Sequence, residues 1–208
     1  MNWVRPPIPI SRGLRIGLLG GSFNPPHQGH LHLSLTALKR LNLDYVWWLV
    51  TPRNPLKSYA GLAPLRDRLQ QSRDVARHPR IIPLDIEHML GTRYSIDTLA
   101  ALQSRFPGVR FVWLMGSDNL AGFHRWRRWQ DIAFRIPIAV FARPGSVLAP
   151  LNSRAMQRFA GYRTKGDIVR AVPPAIRFLD GPRNSQSSTA LRARLGGSEA
   201  LVRLIPPC

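Results

Sequence analysis

Short apolar runs alternate with segments of helical period along most of this chain. Five of the runs have the length and composition of buried strands: LRIGLLG (14–20), YVWWLVT (45–51), RIIPLDIEH (80–88), VRFVWLMG (109–116) and IPIAVFARPG (136–145). Between the first two, Leu31, Leu35, Leu38 and Leu41 recur every three or four residues, as the apolar face of a helix does. Strands that alternate with helices in this way predict an α/β domain built on a mainly parallel sheet.

Further elements follow from local signals. APLRDRLQQSRDVARH (63–78) has a helical period, and a second helix is predicted from a capping Ser95 to Phe106. IRFLD (176–180) suits a last short strand, whereas residues 146–174 are polar and basic without a recognisable period. The length of 208 residues favours a single domain, which we place at residues 13–208 behind a flexible tail at residues 1–12.

Composition narrows the environments in which the chain is expected to work. The apolar fraction is 44%, and no run approaches the ~18 consecutive apolar residues of a membrane helix. The opening MNWVRPPIPISRG lacks the apolar stretch of a secretory signal. The only cysteine is Cys208, which excludes a disulfide within the chain. We therefore expect a cytoplasmic protein with no membrane partner.

The balance of 30 basic and 11 acidic residues gives a net charge of +19, and arginine supplies nearly all of the excess. This charge is spread along the chain. It is compatible with nucleic-acid binding, with attraction of a small polyanionic substrate, or with solvated guanidinium groups that have no specific partner. Charge alone does not choose among these three interpretations.

The loop GGSFNPPHQGH (20–30) follows the first predicted strand, where ligands bind in α/β sheets. Gly20 and Gly21 would let the backbone approach a bulky anion closely. The next helix would offer unpaired amide donors at its start, and His27 and His30 would add directed donors. The loop therefore predicts a phosphate-handling site.

Other interpretations of the loop remain at this point. It matches neither the Walker A loop nor the G-x-G-x-x-G fingerprint. His32 could extend the pair into a zinc cluster, but metal-binding histidines on a helix usually stand four residues apart, and cysteine partners are missing. Surface histidines at a turn would also fit.

Six motifs, in order along the chain, resemble one family. GGSFNPPHQGH is similar to the His-x-Gly-His signature of the nucleotidyltransferase α/β superfamily, and as a whole it resembles the bacterial nicotinate mononucleotide adenylyltransferases. The resemblance covers about residues 14–195 and implies a Rossmann-like, doubly wound sheet with helices on both faces. The other five motifs are TPRNPLK, TRYSIDTL, MGSDNLAGFHRWRRWQDI, ARPG and SSTALRARL.

The reaction that this resemblance implies joins nicotinate mononucleotide to ATP, giving nicotinate adenine dinucleotide and pyrophosphate in NAD biosynthesis. A phosphate oxygen of the mononucleotide would attack the α-phosphorus of ATP in line, so no covalent enzyme intermediate is needed. The protein would hold two anions together and neutralise charge on the moving oxygens. Mg²⁺ bound through the ATP phosphates is the expected cofactor, and no metal site of the protein itself is predicted.

The resemblance assigns the ATP site to residues from both ends of the chain. His27 and His30 would donate to the phosphates and Arg192 would bind the β- or γ-phosphate, which makes these three the predicted catalytic residues. Lys57 is a further phosphate ligand, although it follows Leu56 where family members commonly carry a histidine. The remaining predicted ATP-binding residues are Gly20, Gly21, Ser22, Phe23, Gly116, Asp118, Ser187, Ser188 and Thr189.

The resemblance likewise implies a mononucleotide site. Trp126 would stack on the nicotinate ring, and Trp129 would belong to the core. Backbone donors near Tyr94 and Ser95 would hold the nicotinate carboxylate. Thr98 would support them, and Asn24 completes the predicted mononucleotide-binding set.

Three alternative functions stay open. Other members of the superfamily transfer a nucleotide to phosphopantetheine or use CTP, but the tryptophan-bearing GSDNLAGFHRW argues against both. A basic nucleic-acid-binding module would use HRWRRW, although nucleic acid is not the expected main partner. The sequence does not determine whether the protein forms a homo-oligomer, or whether it prefers the acid or the amide mononucleotide.

Overall fold

Six parallel strands form one sheet in the computed structural model, which describes residues 7–56, 60–142 and 152–179. The strand order is β3-β2-β1-β4-β5-β6, which confirms the predicted doubly wound, Rossmann-like fold. All five predicted strands are present, and IRFL forms the predicted last one. The strands are β1 (Arg15–Gly21), β2 (Tyr45–Val50), β3 (Ile81–Leu84), β4 (Arg110–Gly116), β5 (Ile138–Phe141) and β6 (Ile176–Leu179).

Helices connect the strands and cover both faces of the sheet. Those within the described residues are α1 (Gln28–Arg40), α2 (Leu65–Val75), α3 (Ile86–Leu90), α4 (Ser95–Arg105), α5 (Ser117–Gly122), α6 (Trp129–Arg135) and α7 (Arg154–Phe159). Short 3₁₀ turns follow α5 at Phe123–Arg125 and α7 at Ala160–Tyr162. None of these helices has both the length and the apolar character needed to cross a bilayer.

The side chains of each strand alternate between two buried clusters, one on each face. On β2, Trp47 and Leu49 belong to one cluster, and Val46, Trp48 and Val50 belong to the other. Helices α1 and α2 pack against the second cluster, whereas α3, α4 and α6 pack against the first. Burial on both faces explains why the strands are continuous apolar runs rather than alternating ones.

The sheet reverses its winding between β1 and β4, which are hydrogen-bonded neighbours. From β1 the chain crosses to β2 on one side, and from β4 it crosses to β5 on the other. The loops that leave these two strands therefore diverge and open a crevice at their carboxyl ends. The predicted histidine loop leaves β1 at this crevice.

Two segments differ from the sequence predictions. In RIIPLDIEH the strand ends at Leu84 and a short helix begins at Ile86, because Ile86 and Leu90 lie one helical turn apart and pack on the same cluster. Helix α7 lies in the stretch that the sequence left unassigned, where Ser153 caps it by accepting from the amide of Met156. In addition, Ile8 and Ile10 of the predicted tail pack against the core. The domain boundaries remain predictions.

Candidate active site

A cavity of about 780 Å³ opens at the carboxyl edge of the sheet, where β1 and β4 end. Its volume lies in the range of small-molecule sites. The structure brings together on its wall predicted residues from three separate segments of the chain. These are Gly20, Gly21, Ser22, Phe23, Asn24, His27, His30, Tyr94, Ser95, Gly116, Asp118 and Trp126.

His27 and His30 form a reciprocal cap at the start of α1. The amide of Gly29 donates to Nδ1 of His27 at 3.1 Å, and the amide of His27 donates to Nδ1 of His30 at 3.2 Å. A ring nitrogen that accepts a hydrogen bond carries no proton, so each neutral imidazole carries its proton on Nε2. The local backbone therefore selects the tautomer in which Nε2 is the donor.

Aromatic packing holds the two imidazoles in place. Their ring centroids lie 3.8 Å apart, and the Phe23 ring lies 4.7 Å from His30 and 5.0 Å from Trp48. Trp48 in turn donates from Nε1 to the hydroxyl of Ser34 on α1, at 2.8 Å. Phe23 has a φ of 46°, a left-handed conformation that costs a non-glycine residue energy. Burial of its ring, which is 2% exposed, offsets that cost.

The glycine pair has a packing role that the sequence did not reveal. A Cβ on Gly20 would lie 2.9 Å from Cη2 of Trp113, and one on Gly21 would lie 3.2 Å from the Phe23 ring. The contact of a Cβ on Gly20 would be shorter than real Cβ atoms tolerate, and that of a Cβ on Gly21 would be tight. Glycine is therefore required at Gly20 by its aromatic neighbour, whether or not an anion also approaches the backbone.

A buried arginine ties together the backbone around the cavity. Arg68 on α2 is 1% exposed, and burial lowers the pKa of its guanidinium. Its nitrogens donate to the carbonyls of Ser22 and Thr51, at 2.7 and 2.8 Å. They also donate to the carbonyls of Pro52 and Ala63, at 3.0 and 2.8 Å. One side chain thus joins the loops after β1 and β2 to the start of α2.

A buried carboxyl group faces the cavity from α3. Glu87 is 5% exposed and accepts a hydrogen bond from the hydroxyl of Thr51, at the end of β2. Burial raises the pKa of Glu87 to about 7, and the Thr51 hydrogen bond opposes part of that rise. Both residues line the cavity, so a group that titrates near neutral pH belongs to its wall.

Another part of the cavity wall is aromatic and basic. Trp126 meets the buried rings of Trp113 and Phe123 edge-on, at centroid distances of 5.9 and 5.4 Å. Three arginines, Arg93, Arg125 and Arg127, also line the cavity. This wall offers a fixed ring for stacking and positive charge around it.

Two predictions near α4 need correction or refinement, and one for α6 agrees with the structure. Thr98 does not line the cavity: it is fully buried, and its hydroxyl bonds to Thr92 at 2.7 Å and to the carbonyl of Tyr94 at 3.3 Å. It can act on the site only through those residues. Ser95 is the first residue of α4, and Tyr94 occupies the cap position without a side-chain hydrogen bond. Trp129 packs against the core as predicted, with its ring edge-on to Phe123 and Phe159.

Asn24 lines the cavity but directs its side-chain amide to the chain segment before α2. It donates to the carbonyl of Gly61 at 2.8 Å and accepts from the amide of Ala63 at 3.3 Å. Among residues 7–56, 60–142 and 152–179, no three histidine, cysteine, aspartate or glutamate residues cluster as a metal site would. The candidate site is therefore built from nitrogen donors, aromatic rings and two separate carboxyl groups.

Comparison with known proteins identifies the family. Residues 18–194 match the cytidylyltransferase-like family model. A Cereibacter sphaeroides protein named "Probable nicotinate-nucleotide adenylyltransferase" is 56% identical over 179 residues, which cover 86% of this chain and 96% of that protein. A protein of the same name from Parvibaculum lavamentivorans is 52% identical over 193 residues, or 91% and 96% of the two chains. This chain belongs to the nicotinate-nucleotide adenylyltransferase family.

Solved structures show the same fold. The nicotinic acid mononucleotide adenylyltransferase of Plasmodium falciparum, complexed with NaAD, superimposes with a TM-score of 0.66 at 16% identity. The superposition covers 88% of this chain and 84% of the other. At this level of identity the likeness concerns the fold alone. The family assignment, which rests on the relatives at about 50% identity, identifies the chain as a nucleotidyltransferase enzyme of NAD biosynthesis.

Some residues predicted for this nicotinate-nucleotide adenylyltransferase lie outside the described part of the chain. They are Lys57, Ser187, Ser188, Thr189 and Arg192.

Other residues that shape the site were not predicted. Arg68 had a detectable signal, because it lies one helical turn from Leu65 and from Ser72 in a segment predicted to be a helix. Glu87 was not recognised because it belongs to RIIPLDIEH, which was predicted to be a strand. Four further residues had no signal beyond their position within a quoted motif: Thr51, Arg93, Arg125 and Arg127.

Proposed function

We propose that this chain transfers the adenylyl group of ATP to nicotinate mononucleotide and releases pyrophosphate, with the ligands held in the cavity at the carboxyl ends of β1 and β4. One observation carries this assignment: the paired imidazoles and the aromatic wall around Trp126 line the same cavity. A phosphate-handling group and a ring-binding group are what a reaction between two nucleotides requires.

His27 and His30 act on the phosphates of ATP. Because both Nδ1 atoms accept backbone hydrogen bonds, the Nε2 atoms are the donors. Such donors stabilise the negative charge that develops on the phosphate oxygens as the bond to pyrophosphate breaks. The imidazoles need not exchange a proton with the substrate, since the attacking phosphate oxygen of the mononucleotide is already an anion.

Other residues that line the cavity bind the rest of ATP. Asp118 accepts hydrogen bonds from ribose hydroxyls, and Gly116 allows the adenosine to approach the backbone. Gly20, Gly21, Ser22 and Phe23 contribute backbone groups, since the Phe23 ring is buried. Lys57, Ser187, Ser188, Thr189 and Arg192, which lie outside the described residues, complete the triphosphate site. Mg²⁺ bound through the phosphates of ATP would supply further positive charge at this site.

The mononucleotide occupies the aromatic side of the cavity. Trp126 stacks on the nicotinate ring, because its edge-on contacts with Trp113 and Phe123 hold it in one orientation. Tyr94 and Ser95 place the start of α4 on the cavity wall. Backbone amides there can donate to the carboxylate of the nicotinate ring. Asn24 supports this side by holding the segment of Gly61 and Ala63.

The direct test is pyrophosphate release from ATP in the presence of nicotinate mononucleotide, measured for the wild-type chain and for His30→Ala. We expect the variant to lose at least about a hundredfold in kcat, the usual scale for one preorganised donor to a transition state. His32→Ala is the matched control, because His32 is an exposed residue of the same helix that does not line the cavity.

Two results would contradict the proposal. A wild-type chain that forms no dinucleotide from ATP and either pyridine mononucleotide would exclude the function. Near-normal turnover by His30→Ala in a correctly folded protein would exclude the role of that imidazole while leaving the function intact.

A further inference from the structure

Two arginines of the cavity wall lie against the ring of Tyr94, the residue that precedes α4. The guanidinium carbon of Arg127 lies 4.5 Å from the centre of the Tyr94 ring, and that of Arg93 lies 5.7 Å from it. Both distances are within the range of cation–π attraction, so the tyrosine ring helps to hold the two groups in place. Arg93, Tyr94 and Arg127 all line the cavity.

The charges of these two arginines are not neutralised by the described part of the chain. Within residues 7–56, 60–142 and 152–179, neither Arg93 nor Arg127 has an acidic partner. Arg128 is different, since its Nε donates to the carboxylate of Asp131 at 2.6 Å. Of these adjacent arginines, Arg128 is therefore paired at the surface, whereas Arg127 lines the cavity and has no acidic partner among the described residues.

The position of Arg127 relates it to the pyridine ring. It directly follows Trp126, whose orientation is set by Trp113 and Phe123, and it contacts Tyr94, which precedes α4. A ring stacked on Trp126 would carry its substituent within reach of the groups that border this ring. A guanidinium binds a carboxylate through two parallel hydrogen bonds, whereas a neutral carboxamide offers only one acceptor oxygen and no charge.

We propose that Arg127, assisted by Arg93, binds the carboxylate of the nicotinate ring and makes the enzyme prefer the acid over the amide mononucleotide. This inference rests on the proposed function, and it adds side-chain charge to the backbone donors at the start of α4. The two arginines determine specificity and take no part in the chemical step, because the carboxylate lies at the far end of the mononucleotide from its phosphate.

The test compares kcat/KM for nicotinate mononucleotide and nicotinamide mononucleotide, at saturating ATP, in wild type and Arg127→Ala. We expect the wild type to prefer the acid, and the acid-to-amide ratio to fall about tenfold in the variant. The loss should appear as a higher KM for the acid with kcat nearly unchanged, because the contact is made equally in the ground and transition states. Arg93→Ala should lower the ratio less, and Arg127→Lys should restore part of it.

Arg128→Ala is the matched control, since Arg128 is the next residue, is exposed and does not line the cavity. Its ratio should equal that of the wild type. An unchanged ratio in Arg127→Ala would overturn the inference, as would a wild type without preference for the acid. An equal loss with both mononucleotides would also overturn it, by assigning the guanidinium to the phosphate that both share. In each of these cases the wild type still forms a dinucleotide, so the proposed function survives.

Discussion

At the residue scale, Glu87 is a cavity group whose charge depends strongly on the fold. Its carboxyl group has a pKa of about 7, compared with 4.5 in the absence of the protein environment, because burial penalises the ionised form. The folded chain therefore binds this proton more tightly than the unfolded chain does. The contribution of Glu87 to the free energy of unfolding therefore decreases as the pH rises from about 4.5 to about 7, and above that range the penalty is constant.

We predict that Glu87→Gln removes this dependence. The amide stays neutral and can still accept from Thr51, so the free energy of unfolding should match the wild type below about pH 4.5. At pH 8 the variant should be more stable by up to about 3 kcal/mol, the equivalent of the pKa difference. Urea unfolding of both proteins between pH 4.5 and 8 measures the difference in their free energies of unfolding. The contributions of the other carboxylates are the same in both proteins and cancel in this difference.

A second variant checks the cause of the pKa. Thr51→Val removes the hydroxyl that donates to Glu87 and opposes the effect of burial. The pH range over which the contribution of Glu87 declines should then extend to higher pH, because only the folded-state pKa rises. Parallel stability curves for wild type and Glu87→Gln at all pH values would show that Glu87 ionises normally and would contradict both expectations.

At the element scale, Arg68 connects helix α2 to the loops that leave β1 and β2. Its guanidinium satisfies the carbonyls of Ser22, Thr51, Pro52 and Ala63. We predict that Arg68→Met lowers the free energy of unfolding by at least about 3 kcal/mol, because it leaves several buried carbonyls without donors. Denaturant unfolding measures this loss.

The control for this prediction is Arg66→Met on the same helix, where the side chain is exposed and the change should be within about 0.5 kcal/mol. Arg68→Lys separates the effect on the site from the effect on the fold. Lysine retains the charge but lacks the fork of donors that spans four carbonyls, so the protein should fold and yet lose kcat/KM. Full activity in Arg68→Lys would mean that charge alone positions the loops.

At the scale of the whole molecule, the net charge of +19 opposes the compact state through self-repulsion. Salt screens this repulsion. We predict that raising NaCl from 0.05 to 0.5 M, without ATP, increases Tm by a few degrees, corresponding to about 1 kcal/mol. Differential scanning calorimetry measures Tm. Chloride is used because phosphate or sulfate would compete for the proposed phosphate site. A Tm that falls with NaCl would show that attractive charge pairs outweigh the repulsion.

Local patterns in the sequence were sufficient for most of the fold. The runs around Leu18, Trp48 and Val112 are apolar on both faces, which only a sheet covered on both sides accommodates. The order of six short motifs identified the histidine loop and the aromatic segment at Trp126, and the structure places both on one cavity. The third run failed as a strand beyond Leu84, since a period of four residues is indistinguishable from a buried strand over so short a distance.

The sequence by itself determined the strand runs, the loop that carries His27 and His30, and the family. Only the tertiary structure decided which side chains from other elements complete the site. Glu87 and Arg127 line the cavity from α3 and from the turn before α6. Arg68 of α2 holds the loop backbone around the cavity, and Thr98 is buried away from it. The physical reason is that periodicity records whether a residue is buried along its own element, whereas hydrogen-bond partners depend on how distant elements pack.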